Sequence, residues 1–264
     1  MLDRLLRPIA PYLPENNRLE RIWLLAKADY IARYYGSAFG VFWAFLNPLF
    51  QVLLYALVFT VLFRIAIPNY ALYLFSGLIA WMFFSEATRS AMYVFRTKRY
   101  LIENVNMPKI DLFLASLGCA GMAFMVNFSM YLLISLFFPV TYSWLLLYAP
   151  LLIGLLALIA FGVGLMVGVC SLYFRDVQHL WDIVLMAGLW ITPIVYGKQE
   201  MVHLPGLVYV NPLAGIFLNL RDVLVYDTPP DLYLVLYDAG YAAAVGLIAY
   251  GIFIRFSRRA AELI

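Results

Sequence analysis

The side chains able to do covalent or metal chemistry are few in this sequence, and they are scattered. His179 and His203 stand in separate regions with no second ligand at metal spacing, so each reads as a structural or surface residue and no metal site is expected. Cys119 and Cys170 both lie in apolar stretches and read as small packing residues rather than a disulfide framework or a thiolate site. No Gly-x-x-x-x-Gly-Lys-Ser/Thr run is present to cradle the phosphates of ATP, and no Ser-His-Asp or His-Glu-x-x-His arrangement can be assembled. Of the ionisable groups near apolar stretches, Glu86 and Arg89 stand three apart on one helical face and could pair with each other. Asp182 and Asp238 fall near the ends of apolar runs, where water would reach them. A proton- or sodium-coupled carrier needs acids nearer mid-membrane and broken helices in paired repeats, and that signal is missing. The inventory therefore predicts no catalytic residue and no cofactor bound by this chain.

What must position these residues is a membrane fold. From Leu112 to Phe174 there is no charged side chain. As one helix that stretch would rise about 90 Å, roughly three times the hydrocarbon core of a bilayer. It must cross, turn and cross back, and Pro139 with Thr141, Tyr142 and Ser143 marks the turn. With 65% hydrophobic residues, 12% charged and a mean hydropathy of +0.87, the chain needs lipid as its solvent. The fold class expected is all-α and polytopic. Six spans are predicted at about 36–63, 70–95, 112–138, 144–173, 180–196 and 232–254. Residues 204–220 are broken by Pro205, Gly206, Asn211, Pro212 and Gly215 and closed by Arg221-Asp222. They read as a re-entrant or interfacial element within an external segment, 197–231.

Charge placement agrees with six crossings. Arg4, Arg7, Arg18, Arg21, Lys27, Arg33, Arg96, Lys98, Arg99, Lys109, Arg175, Arg255, Arg258 and Arg259 then share one side, which the positive-inside rule makes cytoplasmic along with both termini. Acidic and basic residues before position 22 break up any cleavable signal core, so the N-terminal segment 1–35 is expected to stay cytoplasmic. Within it, residues 17–34 are amphipathic, with Leu19, Ile22, Trp23, Ala26 and Tyr30 on one face, as in a helix lying on the membrane surface. Ala160, Gly164 and Gly168 in span four recur every four residues. They suit either close packing on another helix or a lipid-facing surface that happens to be rich in small residues.

Several short motifs then resemble one family in order along the chain. Arg33-Tyr34, Ser37, Gly40, Trp43 and Asn47-Pro48-Leu49 resemble the approach to span one of ABC-type polysaccharide export permeases. Ser76-Gly77-Leu78, Trp81 and Phe84-Ser85-Glu86 resemble its second span. The run from Glu103 to Lys109 resembles the loop between spans two and three, although Met107 and Lys109 flank Pro108 where an aromatic residue and an arginine are common. Phe174-Arg175-Asp176-Val177, Thr192-Pro193-Ile194-Val195-Tyr196 and Asn211-Pro212-Leu213 complete a likeness over about residues 20–225, with Thr192 often serine in the family.

The resemblance implies a permease subunit that works as two copies with two copies of a separate ATPase, where ATP and Mg would bind. Its cargo would be a lipid-linked polysaccharide, with O-antigen favoured over capsule or teichoic acid, crossing the bacterial inner membrane; no nucleic acid is implied. Within the loop 96–110, a short helix with Tyr100, Leu101, Ile102, Glu103 and Asn104 would couple to the ATPase, or would simply be a solvated basic loop. Arg175 and Asp176 are candidates for the same contact, or mark the membrane edge. Aromatic residues make up 17% of the chain, and Phe39, Trp43, Phe50, Trp181, Trp190 and Tyr196 are candidates for a glycan-lining wall, because flat rings pack on the apolar faces of sugars. Ordinary helix packing is the alternative for each. Arg21, Lys27 and Arg33 sit where a lipid-pyrophosphate head or ordinary anionic lipid would meet the inner leaflet. A secondary transporter and a membrane-embedded glycosyl- or acyltransferase are the rival readings. Ion-gradient dependence without a partner would distinguish the first, and a reactive cluster at one membrane face the second.

Overall fold

A computed structural model of the chain describes residues 14, 17–34, 39–62, 67–197 and 206–257. These residues form helices and their connections, with no strand among them. Helix α1 (Arg18–Tyr34) precedes α2 (Trp43–Leu57), which runs on as a π turn over Val58–Leu62. Then come α3 (Tyr70–Thr97), the short α4 (Arg99–Asn104) and α5 (Lys109–Ser135). A 3-10 turn at Trp144–Leu147 leads into α6 (Tyr148–Tyr173), followed by α7 (Val177–Ile191). The chain ends in α8 (Leu207–Val210), α9 (Ala214–Leu224) and α10 (Leu232–Phe256).

Five of these stretches, Trp43–Val61, Tyr70–Thr97, Lys109–Ser135, Trp144–Tyr173 and Leu232–Phe256, are long and apolar enough to cross a bilayer. The fifth predicted crossing, 180–196, differs from expectation. Its helix α7 has 15 residues, a rise of about 22 Å, and the chain leaves the helix at Thr192 before Pro193. Ends are set by local chemistry: Ser143 Oγ accepts from Leu145 N at 3.2 Å at the turn into α6, and Asp231 accepts from Tyr233 N at 2.9 Å to cap α10. The predicted turn residues 139–143 lie between α5 and α6.

The centre of the bundle is α3, which packs most extensively on α6 and next on α5, while α6 also packs closely on α10. Close approach explains the glycine pattern. A Cβ on Gly164 would lie 2.9 Å from Ala91 Cβ, and one on Gly168 would lie 2.5 Å from Phe113 Cε1 and 2.9 Å from the Ala91 carbonyl. Gly162 faces Val245 of α10 in the same way, at 2.8 Å. The small-residue face of span four is thus a packing face, and lipid does not occupy it.

At one end of the bundle the basic residues gather. Asp111, fully buried at the start of α5, accepts from Arg18 and Arg21 of α1, each at 2.8 Å. Lys98, also buried, pairs with Asp29 at 2.5 Å, and Lys109 Nζ donates to the Ser257 carbonyl at the end of α10 at 2.8 Å. These bonds turn α1 differently from the amphipathic expectation. Its inward face carries Arg21, Leu25 and Ala26 against the bundle, while Leu19, Trp23 and Ile31 are exposed.

The opposite end is closed by Arg221 of α9. Its buried guanidinium donates to the carbonyls of Pro193 and Ile194 and to the Tyr73 hydroxyl, the last at 2.7 Å, and its carbon lies 3.8 Å from the Tyr73 ring centroid. The planar fork satisfies carbonyls freed where α7 stops, which a point-charge ammonium could not do as completely. Every residue of α9 is buried, yet its 11 residues are too few to cross a bilayer, and Asn211 breaks it from α8 by accepting from Leu213 N at 3.0 Å. The element is therefore broken and does not span. Asp238 departs from the reading above: it is 1% exposed, and its carboxylate presses on Gly215 of α9 rather than reaching water.

Overpacking the α3–α6 contact should unfold the bundle first. Gly168→Leu is expected to lower stability in detergent by about 1–3 kcal/mol or more, whereas Gly154→Ala, which has nothing within 4 Å, should leave the thermal midpoint unchanged. Equal midpoints for both variants would refute the packing account.

Candidate functional site

Two helices are held less tightly than the rest, and a groove opens between them. The wall on one side is α2, where Trp43, Asn47, Gln51 and Tyr55 recur every four residues on one face. The other wall is α7, with Asp182, Leu185, Met186, Leu189 and Trp190, and the floor is made by α3 and α5. The cavity measures about 600 Å³. Trp81 of α3 lies against the α7 wall because Gly188 leaves room: a Cβ there would sit 2.7 Å from the indole Cη2.

The end of the groove nearer the basic end is charged. Arg33 of α1 pairs with Glu86 of α3 at 2.6 Å, and Arg89 of α3 pairs with Asp182 of α7 at 2.9 Å. Glu86 and Arg89 therefore do not pair with each other as the sequence suggested. Their partners come from other helices, and each pair ties α3 to one flank of the groove. About half of the Arg89 and Asp182 side chains stays exposed, so water screens them and their attraction is worth little to stability. Further along, Ser85 and Asn127 bring a hydroxyl and an amide into the floor, among Leu78, Ile79, Met82 and Phe124.

The expected wall residues are divided by this geometry. Trp43 and Trp190 line the groove. Phe39 stands beside Trp43, edge-on at 5.7 Å, but is exposed, and Phe50 points away from the lining with 61% of its surface free. Trp181 packs against the core and donates from Nε1 to Thr88 Oγ1 at 3.2 Å, while the Tyr196 hydroxyl donates to the Ile191 carbonyl at 2.7 Å. Those last two rings do structural work instead of lining the path. Of the three cations expected at a lipid head, only Arg33 reaches the groove; Lys27 is exposed on α1, and Arg21 is engaged by Asp111 and 6% exposed. Trp81, Asn47, Gln51, Ser85 and Asn127 were not expected in the lining. The stripe from Trp43 to Tyr55 was readable as a polar face in an otherwise apolar span, and Asn127 as a lone amide in the charge-free stretch.

At the basic end, α4 holds the expected coupling residues. Leu101 is fully buried and anchors the helix, Tyr100 and Ile102 are half-buried, and Glu103 and Asn104 are exposed. Glu103 accepts from Arg99 at 2.6 Å, and Asn104 Nδ2 donates to the Tyr100 carbonyl at 2.9 Å, so the turn is held from within. Arg175 and Asp176 are exposed in the turn between α6 and α7, and neither forms an ion pair among the described residues. Nor is there a cluster of three or more His, Cys, Asp or Glu side chains suited to a metal among those residues.

Residues 20–225, a stretch that contains the groove, α4 and α9, match the ABC-2 type transporter family. The chain belongs to that family. Its relatives include two O-antigen export system permease proteins named RfbA from Klebsiella pneumoniae, 24% and 25% identical over 245 residues, covering 91% of this chain and 93% of theirs. A third RfbA, from Myxococcus xanthus, is 24% identical over 210 residues, covering 78% of this chain and 81% of its own. This ABC-2 protein is accordingly an integral membrane transport subunit, as its spans and the permease names of its relatives indicate. Membership implies association with an ATPase, which is consistent with the lack of any phosphate-cradling motif in the sequence.

Because the Arg89–Asp182 pair is half exposed, it should contribute little to folding. A double-mutant cycle on Arg89→Gln and Asp182→Asn, read by thermal unfolding in detergent, should give a coupling of about 1 kcal/mol or less. A coupling of about 3 kcal/mol or more would make the pair a structural bond instead.

Proposed function

We propose that two copies of this chain form the membrane half of an ATP-driven exporter that moves a lipid-linked polysaccharide, O-antigen by likeness to its named relatives, across the bacterial inner membrane. The observation that carries this reading is the groove: a charged mouth leading into a wall built on Trp43, Trp81 and Trp190. Tryptophan faces offer sugars a flat apolar surface while hydroxyls stay hydrated, which holds a polymer weakly and lets it slide. Exposed apolar side chains on α2 and α7, among them Leu53, Leu57, Ile183 and Val184, would meet the partner copy or lipid.

Direction follows from charge. The basic end, with α1 and α4, faces the cytoplasm by the positive-inside rule, and the expected cytoplasmic termini lie outside the described residues. There Arg33 and Arg89 are neutralised by carboxylates in a partly exposed setting, so the diphosphate of a lipid-linked glycan can compete for the same guanidinium donors. Lys27, exposed on α1, adds attraction to anionic headgroups. The exposed edge of α4, with Glu103 and Asn104, and the neighbouring Arg175 and Asp176 would receive the push of two ATPase subunits, on which ATP and Mg bind. Lys109 links that loop to the end of α10, giving the push a path into the bundle.

Co-purification of this chain with an ATPase whose hydrolysis rises with added lipid-linked glycan is the expected result; full transport by the chain alone in vesicles would overturn the reading. Within that complex, Arg33→Gln should lower glycan export several-fold more than it lowers ATP hydrolysis, and equal losses would remove Arg33 from loading. Alanine at Trp43 or Trp190 should reduce export while the ATPase still co-purifies. Unchanged export in both would remove the aromatic wall from the mechanism.

A further inference from the structure

Beyond the charged mouth, the groove carries hydrogen-bonding groups that neither the fold nor the ion pairs use. Asn127 is 6% exposed, and its Oδ1 has no hydrogen-bond partner among the described residues; the same holds for Ser85 Oγ, which is likewise buried. Asn47 and Gln51, one helical turn apart on α2, line the same cavity. The contacts Ser116–Ser90, Phe124–Phe83 and Phe75–Tyr131 set the register of α5 on α3 and place Asn127 beyond Ser85, away from the charged mouth. Three helices thus bring two amides, a hydroxyl and a third amide to one stretch of wall, deep in a segment whose other floor residues are Leu78, Ile79, Met82 and Phe124.

An amide oxygen buried without a partner costs about 1–3 kcal/mol, so its place in an apolar floor asks what it meets. The groove's cations, Arg33 and Arg89, both sit at the mouth beside carboxylates, and none lines the stretch near Asn127. Amides and hydroxyls both donate and accept, which matches sugar hydroxyls, but they bring no positive charge to balance a buried carboxylate or phosphate.

The geometry points to Asn47, Gln51, Ser85 and Asn127 as a mid-groove binding track for the hydroxyls of an uncharged glycan, selecting neutral chains over chains acidic in every repeat. This rests on the export reading above and extends it from the mouth to the chain that follows. The lipid diphosphate is recognised once, at the charged end; each later repeat then exchanges hydrogen bonds with the track. Partners of modest strength hold a repeat without trapping it, and the tryptophans beside them supply the apolar contact.

The test uses the complex of this chain with its ATPase in proteoliposomes, given a lipid-diphosphate-linked neutral mannan oligosaccharide and the same carrier bearing an oligogalacturonate. The unaltered complex should export the neutral chain at least about tenfold faster, and equal rates or a preference for the acidic chain would overturn the inference. Asn127→Leu should slow neutral export about three- to tenfold, with Asn127→Gln recovering much of it, and wild-type export by Asn127→Leu would also overturn it. Should Asn127→Leu fail to assemble, Ser85→Ala and Asn47→Leu decide in its place by the same criterion. If the unaltered complex exports neither glycan, the export reading itself falls, an outcome separate from a track that proves indifferent to its cargo.

Discussion

Everything in this bundle leans on the close approach of α3 and α6. In lipid, hydrocarbon tails solvate a leucine as well as a neighbouring helix does, so helices adhere where their backbones can come near and where polar groups would otherwise lack partners. Gly164 and Gly168 against Ala91 provide that contact, while Gly168 also meets Phe113 of α5 and Gly162 extends the packing to α10. With α3 fixed at the centre, α5 and α1 add to it on one side, the latter through the buried carboxylate of Asp111.

The two ends of the molecule are then held by different physics. Where α7 stops short, freed carbonyls are collected by one buried arginine, Arg221, whose fork reaches Pro193, Ile194 and Tyr73 together. Because Arg221 is 2% exposed and each of its three guanidinium nitrogens has a partner, any rearrangement at that end would strand a buried charge. At the basic end, by contrast, the pairs Arg33–Glu86 and Arg89–Asp182 are partly exposed, the second by about half, and water screens them. In the export reading proposed above, this inequality lets an anionic head enter at one end while the other stays closed. The groove between α2 and α7 persists because those helices pack on α3 over less of their length than α6 does.

Much of the architecture was legible from residue types. The charge-free stretch after Asp111, the interruption at Asn211-Pro212 and the gathering of basic residues each depend on local composition and on the cost of polar groups in hydrocarbon. The site was legible only in part. Trp43 and Trp190, candidates by ring type, line the groove, but Phe50, on the span of Trp43, turns outward, and Trp181 turns into the core to reach Thr88. A ring's type gives no sign of which side of its helix meets another helix and which meets the groove. Asp238 shows the same limit: its position near a span end suggested water, and the packing of α9 over it removed that water.

By itself, then, the sequence determined that this chain lives in a bilayer, where it turns and which end is basic. All of these follow from transfer costs and spacing along one segment at a time. Only the tertiary structure decided the pairings: that Arg33 meets Glu86, that Arg89 meets Asp182, that Arg21 is engaged by Asp111, and that Asn127 and Ser85 open into one groove. The reason is that partner choice depends on the rotation and register of helices distant in sequence, set by the summed packing of the whole bundle, and no local pattern encodes that sum.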